Sequence, residues 1–339
     1  MKKLLLLLIA LFAIISCETG DINRSSSTHI YAVGNNGSHE AYLTKDGVSS
    51  SLGVNYFVID LFVDGDDVYT SGNKDGFATY TKNGVFNTIG GAGSSASNIY
   101  VNGNDVYVVG KQGYSPAYWK NGVQTVMTIS SGYKGVAYDV TVSNNDVYIA
   151  GYQCNFDYSN LITNILYWKN GVLTTVNSTH TYSFNWIGEI SIAVDNNDVY
   201  LAVNERDIYN DVFNGNAYLI KNGTEETLIA DNSEVHDIFI ADSAIYLCGS
   251  HISSTGVPYQ SVVWKNGTAE VEKDVTHGAF ASVVVIDNNI FAVGLDSVIN
   301  PDGSFSNHGT TLINNVYEVA PDFGSPVFGS GYMSVFVTE

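Results

Sequence analysis

The feature that most restricts the fold of this chain is a motif that returns seven times. Its clearest copy runs from Gly103 to Met127, with NDVYVVG in its first half and AYWKNGVQTV in its second. Val106 to Val109 is a β-branched and aromatic run stopped by Gly110, which reads as a strand. Pro116 to Trp119 is another, and Asn121-Gly122 follows it directly. Asn-Gly between two such runs marks a hairpin, because both residues tolerate the positive φ of a type I′ turn. Val123 to Met127 returns, and Asn98 to Val101 precedes the unit, so each repeat supplies four antiparallel strands, A to D.

Aligned on the B-strand aromatic, the copies fall at Tyr31, Tyr69, Tyr107, Tyr148, Tyr200, Tyr246 and Phe291, with gaps of 38, 38, 41, 52, 46 and 45 residues. The Lys-Asn-Gly turn recurs at Lys82, Lys120, Lys169, Lys221 and Lys265, as Lys45-Asp46-Gly47 in the first repeat, and degenerates to Ile313-Asn314-Asn315 in the last. Four strands repeated at this period predict an all-β fold, a seven-bladed β-propeller. The first repeat lacks an A strand, and Ser334 to Thr338 resembles an A strand with no B strand after it. Pairing the two closes the ring and leaves no open sheet edge. An open solenoid of the same hairpins is the other arrangement.

Before the repeats, Lys2-Lys3 and the apolar run Leu4 to Ile15 form a secretory signal too short to anchor the chain by itself. Ile14-Ile15-Ser16-Cys17 resembles a bacterial lipobox, which implies lipidation at Cys17. The expected layout is a lipoprotein signal peptide over residues 1–16, Cys17 with a polar tether to residue 27, and one propeller over 28–339. Acidic residues just after Cys17 resemble the tether of Bacteroidetes lipoproteins sent to the outer membrane and often to the cell surface. The chain carries a formal charge of −20, which becomes −22 once Lys2 and Lys3 are removed. Such a surface repels nucleic acid and anionic lipid, so membrane contact is expected through the Cys17 acyl chains alone. A monomer is expected. Cys154 and Cys248, the remaining cysteines, fall two blades apart, too far for a disulfide.

Loop lengths point to one face. The A–B and C–D turns are short, whereas the B–C connections lengthen in blades 4 to 7, at Tyr152–Asn164, Asn204–Asn216, Ser250–Gln260 and Leu295–Gly309. Binding groups concentrate where loops vary on a rigid scaffold, which favours the face carrying the B–C and D–A connections. Counting nine residues back from each B-strand aromatic gives Asp60, Asn98, Asp139, Ser191, Asp237 and Ser282, and closure adds Ser334. These small polar residues form a predicted ring around the propeller axis at the A-strand starts. The ring can pin neighbouring blades through backbone hydrogen bonds, contact a ligand, or hold a hard cation such as Ca²⁺. Around it the sequence offers Tyr133, Trp186, Glu189, His236, His277 and Phe280 as ligand-binding candidates. Trp186 stands outside the C-strand pattern of Trp119, Trp168 and Trp264, which are expected in the core. An aromatic platform beside carboxylates and amides suits a sugar. Strand alternation places His236 and Asp237 on opposite faces, so they form no dyad.

Catalytic motifs are sparse. There is no nucleophile elbow and no phosphate loop, so no catalytic residue is assigned. The carboxylates Asp60, Asp139 and Asp237 are the one acid/base set on offer, at separations that sequence does not give. The unit Ile192 to Tyr200, IAVDNNDVY, is similar to the SBBP-type bacterial propeller repeat, and with the YWKNG element it resembles exported Bacteroidetes lipoproteins built of this repeat. The resemblance spans about residues 28 to 338. It implies a fold and an envelope location, and it carries over no functional residue. The reading is a lipid-anchored binding module for a glycan or another envelope protein. The alternatives are a propeller enzyme, either a glycoside hydrolase or lyase or a metal-dependent lactonase, and a structural scaffold.

Overall fold

The computed structural model describes residues 28–36, 40–155, 163–176, 190–206, 215–252, 259–275, 278–299, 302, 305–314, 316–319 and 331–338. They form seven four-stranded antiparallel sheets in a ring, a seven-bladed β-propeller. Blade 1 takes its A strand from the C-terminus: Gly331–Thr338 pairs with His29–Asn35, which continues to Glu40–Lys45 and Val48–Val54. Tyr31 faces Phe336 and His29 faces Thr338, so the chain's two ends share one sheet. The A strands of blades 2 to 7 are Tyr56–Asp64, Ser94–Asn102, Lys134–Ser143, Ser191–Asp195, Ser233–Ala241 and Gly278–Ile286.

The two halves of the sequence motif meet in one cluster per blade. In blade 3 the Asp105 carboxylate receives Lys120 Nζ at 2.7 Å and Asn121 Nδ2 at 2.8 Å. Asn121 Oδ1 accepts the Val106 N–H at 2.8 Å, and Lys120 stands 5.2 Å from the Tyr107 ring centroid. The same set recurs around Asp67, Asp146 and Asp198. Blade 6 has Ala244 in place of the aspartate and keeps the Asn266–Ile245 bond. The turn asparagines adopt the left-handed backbone expected of them, with φ 51° at Asn121 and 50° at Asn170. NDVY and KNG are therefore one interlocking turn, not two separate signals.

Trp119, Trp168 and Trp264 are buried between blades, as expected of core residues. Blade 2 has Thr81 where they have Trp. There Tyr56 fills the seam, its hydroxyl linked to Thr70 at 2.8 Å and Thr70 to Thr81 at 2.7 Å. The long B–C connection of blade 7 differs from expectation. In blade 7, Asn289–Ile299 and Phe305–Ile313 stay paired as far as Ile299 opposite Phe305. The extra length in blade 7 is therefore largely extended hairpin, built from ladder hydrogen bonds. Pairing in blades 4 to 6 ends at Cys154–Thr163, Arg206–Gly215 and Ile252–Tyr259, and the rest of those connections, Asn155 aside, lies outside the described residues.

Candidate functional site

The seven predicted ring residues come together. Asp60, Asn98, Asp139, Ser191, Asp237, Ser282 and Ser334 all line one cavity of about 250 Å³ on the propeller axis. The remaining lining residues, among them Phe57, Ile59, Tyr138, His236 and Met333, lie N-terminal to the ring on the same strands, except Ile190, which stands just before its strand. The cavity thus opens toward the A-strand starts, the face of the B–C and D–A connections. The ring sits in mid-strand for most blades, deeper than the strand start where sequence placed it.

A β-bulge accounts for the difference. Pairing skips Ile59, Ser97, Tyr138, His236, Ala281 and Met333, each immediately before a ring residue. A bulge sets two residues against one and shifts the alternation by one place. Both His236 and Asp237 therefore line the cavity, which corrects the reading that put them on opposite faces. Phe280 is corrected by the same shift. It falls two residues before Ser282, beyond the bulge, and is fully buried in an interblade core with Tyr246, Cys248 and Val283. Val58, Ala96, Ala137 and Val235, at the matching place, are also fully buried. Tyr133 is half-buried, its N–H bonded to Ser130 O at 3.1 Å, and does not line the cavity. Trp186, Glu189, His277 and Cys17 lie outside the described residues. Sequence reasoning missed Phe57, Ile59, Tyr138 and Met333, because it placed no bulge.

The ring is a hydrogen-bonded circuit between blades. Asp60 accepts the Ile99 N–H at 3.0 Å and the Ser334 hydroxyl at 2.6 Å, joining blades 3 and 1 to blade 2. Asn98 accepts the Val140 N–H at 3.4 Å. Asp139 Oδ2 accepts the Ile192 N–H at 2.8 Å and the Ser191 hydroxyl at 2.7 Å. That hydroxyl also lies 3.2 Å from Asp237 Oδ1, and Asp237 Oδ2 takes the Val283 N–H and the Ser282 hydroxyl, both at 3.0 Å. The pinning role is thus realised. The oxygens that a hard cation would need already accept N–H and O–H bonds, and no group of three His, Cys, Asp or Glu among the described residues is placed to hold a metal.

Burial pushes the Asp60 carboxyl up to about 6 and Asp139 up to about 7, against the pull of the bonds they accept. Asp237 is raised for the same first reason. The three carboxylates also repel one another across the channel: Asp237 acts on Asp60, and both act on Asp139. Below the ring, Phe336, Phe62 and Tyr100 stand in a row with centroids 4.8 Å apart at each step. The site is a cup with an apolar and aromatic wall and a polar, acidic floor.

No family model matches the chain, and no curated protein does. Among solved structures, a prolyl endopeptidase superposes with TM-score 0.51 at 9% identity, covering 92% of this chain and 50% of its own. The Pyrococcus horikoshii acylaminoacyl peptidase gives TM-score 0.51 at 12% identity, with 87% and 50% covered. This chain spans about half the length of either, and the likeness is one of fold.

Proposed function

We propose that this protein is a lipid-anchored binding module of the cell envelope, and that it takes a glycan or a segment of another envelope protein into the axial cup. The observation that carries the reading is the cup's composition: Phe57, Ile59, Tyr138 and Met333 stand above hydroxyls, an amide and carboxylates. A wall of this kind packs against a sugar face or an apolar side chain, while the floor orients polar groups. The anchor at Cys17 and the outer-membrane location rest on the lipobox and acidic tether in the sequence. The test is a glycan-array and envelope-lysate pull-down with the mature chain, repeated with Phe57→Ala, Tyr138→Ala and the sequence-based candidate Trp186→Ala. Binding weakened about tenfold by either cup substitution is expected, and binding indifferent to all three removes the axial site.

One observation favours a second reading, a hydrolase. Asp139 and Asp237 share the Ser191 hydroxyl, so their carboxylates are close, and a carboxyl near 7 suits a general acid. Turnover of aryl glycosides or an aryl lactone, lost in Asp139→Asn, would support it. No turnover by the mature chain ends it.

A further inference from the structure

On the opposite face, at the seam between blades 4 and 5, a groove of about 470 Å³ penetrates to the buried Tyr148 and Val199. Blade 4 contributes Tyr167, Asn170 and Thr174 to its walls, and blade 5 contributes Asn197 and Asn222. The opening has a cause in the sequence. One step inward from Asn222, on the same face of its strand, blade 5 carries Ile220 where blades 3, 4 and 6 carry Trp119, Trp168 and Trp264. A smaller side chain therefore fills this seam. The blade 5 turn rests against the Tyr167 ring at Gly223, which takes φ 74° and where a Cβ would meet Tyr167 Cε1 at an ordinary contact distance of 3.4 Å.

Apart from Lys169, which is paired with Asp146, the groove's polar groups are neutral and keep hydrogen-bonding capacity to spare. Among the described residues, the Tyr167 and Thr174 hydroxyls and the Asn197 side chain have no hydrogen-bond partner. Asn170 and Asn222 each make two side-chain bonds, and a carboxamide has capacity for four. The charges nearby are spent within their own blades: Lys169 lies 2.8 Å from Asp146 and Lys221 lies 2.7 Å from Asp198. Among the described residues, Lys169 is the one charged side chain that lines the groove, and the chain's charge of −20 repels anions at longer range. An aromatic ring beside several neutral donors and acceptors matches a flat apolar face ringed by hydroxyls.

We propose that this seam is a second binding site and that it takes a neutral sugar residue, stacked on Tyr167 and held by Thr174, Asn197 and the two turn asparagines. The two sites lie on opposite faces, so this one stands whether or not the axial reading does. A panel of methyl glycosides of glucose, galactose, mannose and N-acetylglucosamine, titrated into the mature chain by NMR with saturation transfer, tests it. At least one glycoside is expected to bind. Tyr167→Ala should weaken it tenfold or more, Asn197→Ala several-fold, and Phe57→Ala in the axial cup not at all. Asn197 is exposed and stands at φ 71°, so Asn197→Gly accompanies Asn197→Ala, removing the side chain without straining the left-handed backbone. The proposal is overturned if no glycoside in the panel binds, if Tyr167→Ala and Asn197→Ala both leave binding unchanged, or if Phe57→Ala abolishes it.

Discussion

Single side chains do much of the joining between blades. The Asn35 amide donates to Val58 O at 2.7 Å and accepts from Val58 N at 2.9 Å, tying the end of one B strand to the next blade. Asn204 repeats the exchange with Val235 at 2.8 and 2.7 Å. Asn35→Ala removes both partners and leaves a buried N–H and C=O unpaired. A cost of about 2 to 4 kcal/mol is expected, read from denaturant unfolding, and a loss below about 1 kcal/mol would show that the exchange contributes little. The axial carboxylates act in the other direction, because burial disfavours their ionised forms. For Asp139 the folded pKa, about 7, lies above the usual carboxylate value. The folded chain therefore holds its proton more tightly than the unfolded chain does. The resulting stability is complete below the ordinary carboxylate range and is lost as pH rises through about 7. Melting temperature should fall between pH 5 and pH 8, by about 3 to 5 °C, and Asp139→Asn should flatten that slope. Asn98 supplies the precedent, since an amide already fills the same place in blade 3. Parallel slopes in the two proteins would remove Asp139 as the cause. The outer aspartates, such as Asp105 beside Lys120, are held low and lose stability only at more acid pH, outside this window.

At the scale of the strand, the bulge decides what faces the axis, and a glycine permits it. A Cβ on Gly110 would overlap the carbonyl oxygen of Ser95, and one on Gly72 would overlap that of Phe57. The glycine closing the NDVYVVG motif thus marks where the bulged A strand crowds the B strand. Gly110→Ala is expected to cost about 2 to 3 kcal/mol through overpacking, measured as a shift in denaturant midpoint without loss of the folded state. An alanine tolerated without a shift would mean that the crowding is relieved at no cost. Blade 5 is the natural contrast: it carries Val203 at the glycine position, and its described A–B pairing stops at Ser191 opposite Ala202. These relations also explain what could be read from sequence. The aromatic, the Lys-Asn-Gly turn and the polar ring residue recur at fixed intervals, so blade count, turn type and ring membership were legible without coordinates. The bulge has no turn residue to announce it. Its trace is a phase conflict: Val58 and Leu61, three apart on one strand, are both core, which strict alternation forbids. Read that way, VIDLFV would have moved Phe280 to the core and His236 to the axis. Trp186 and Glu189 are different, because no repeat position constrains them.

For the whole ring, closure by the C-terminal strand makes stability a property of the circle. Each blade packs only on its neighbours, so an open ring would carry two unmatched blade faces and an unpaired strand. Seven apolar clusters follow one another around the ring, and the one containing Ala32, Phe291, Val335 and Val337 joins blade 7 to blade 1 through the terminal strand. The Ser334–Asp60 bond carries the axial circuit across into blade 2. Deleting residues 331–339 removes all of these contacts at once and bares the edge of His29–Asn35. The truncated chain is expected to lose its cooperative thermal transition and to associate through that edge, seen as a larger mass in light scattering. A synthetic peptide of the deleted sequence should restore the mass of the full chain by adding back the missing strand. A truncated chain that keeps the full chain's mass and melts as the full chain does would mean that the interblade packing holds the ring without its closing strand. Rescue by the peptide, with none by a scrambled copy, would locate closure in the register that sets Tyr31 against Phe336 and Val33 against Ser334.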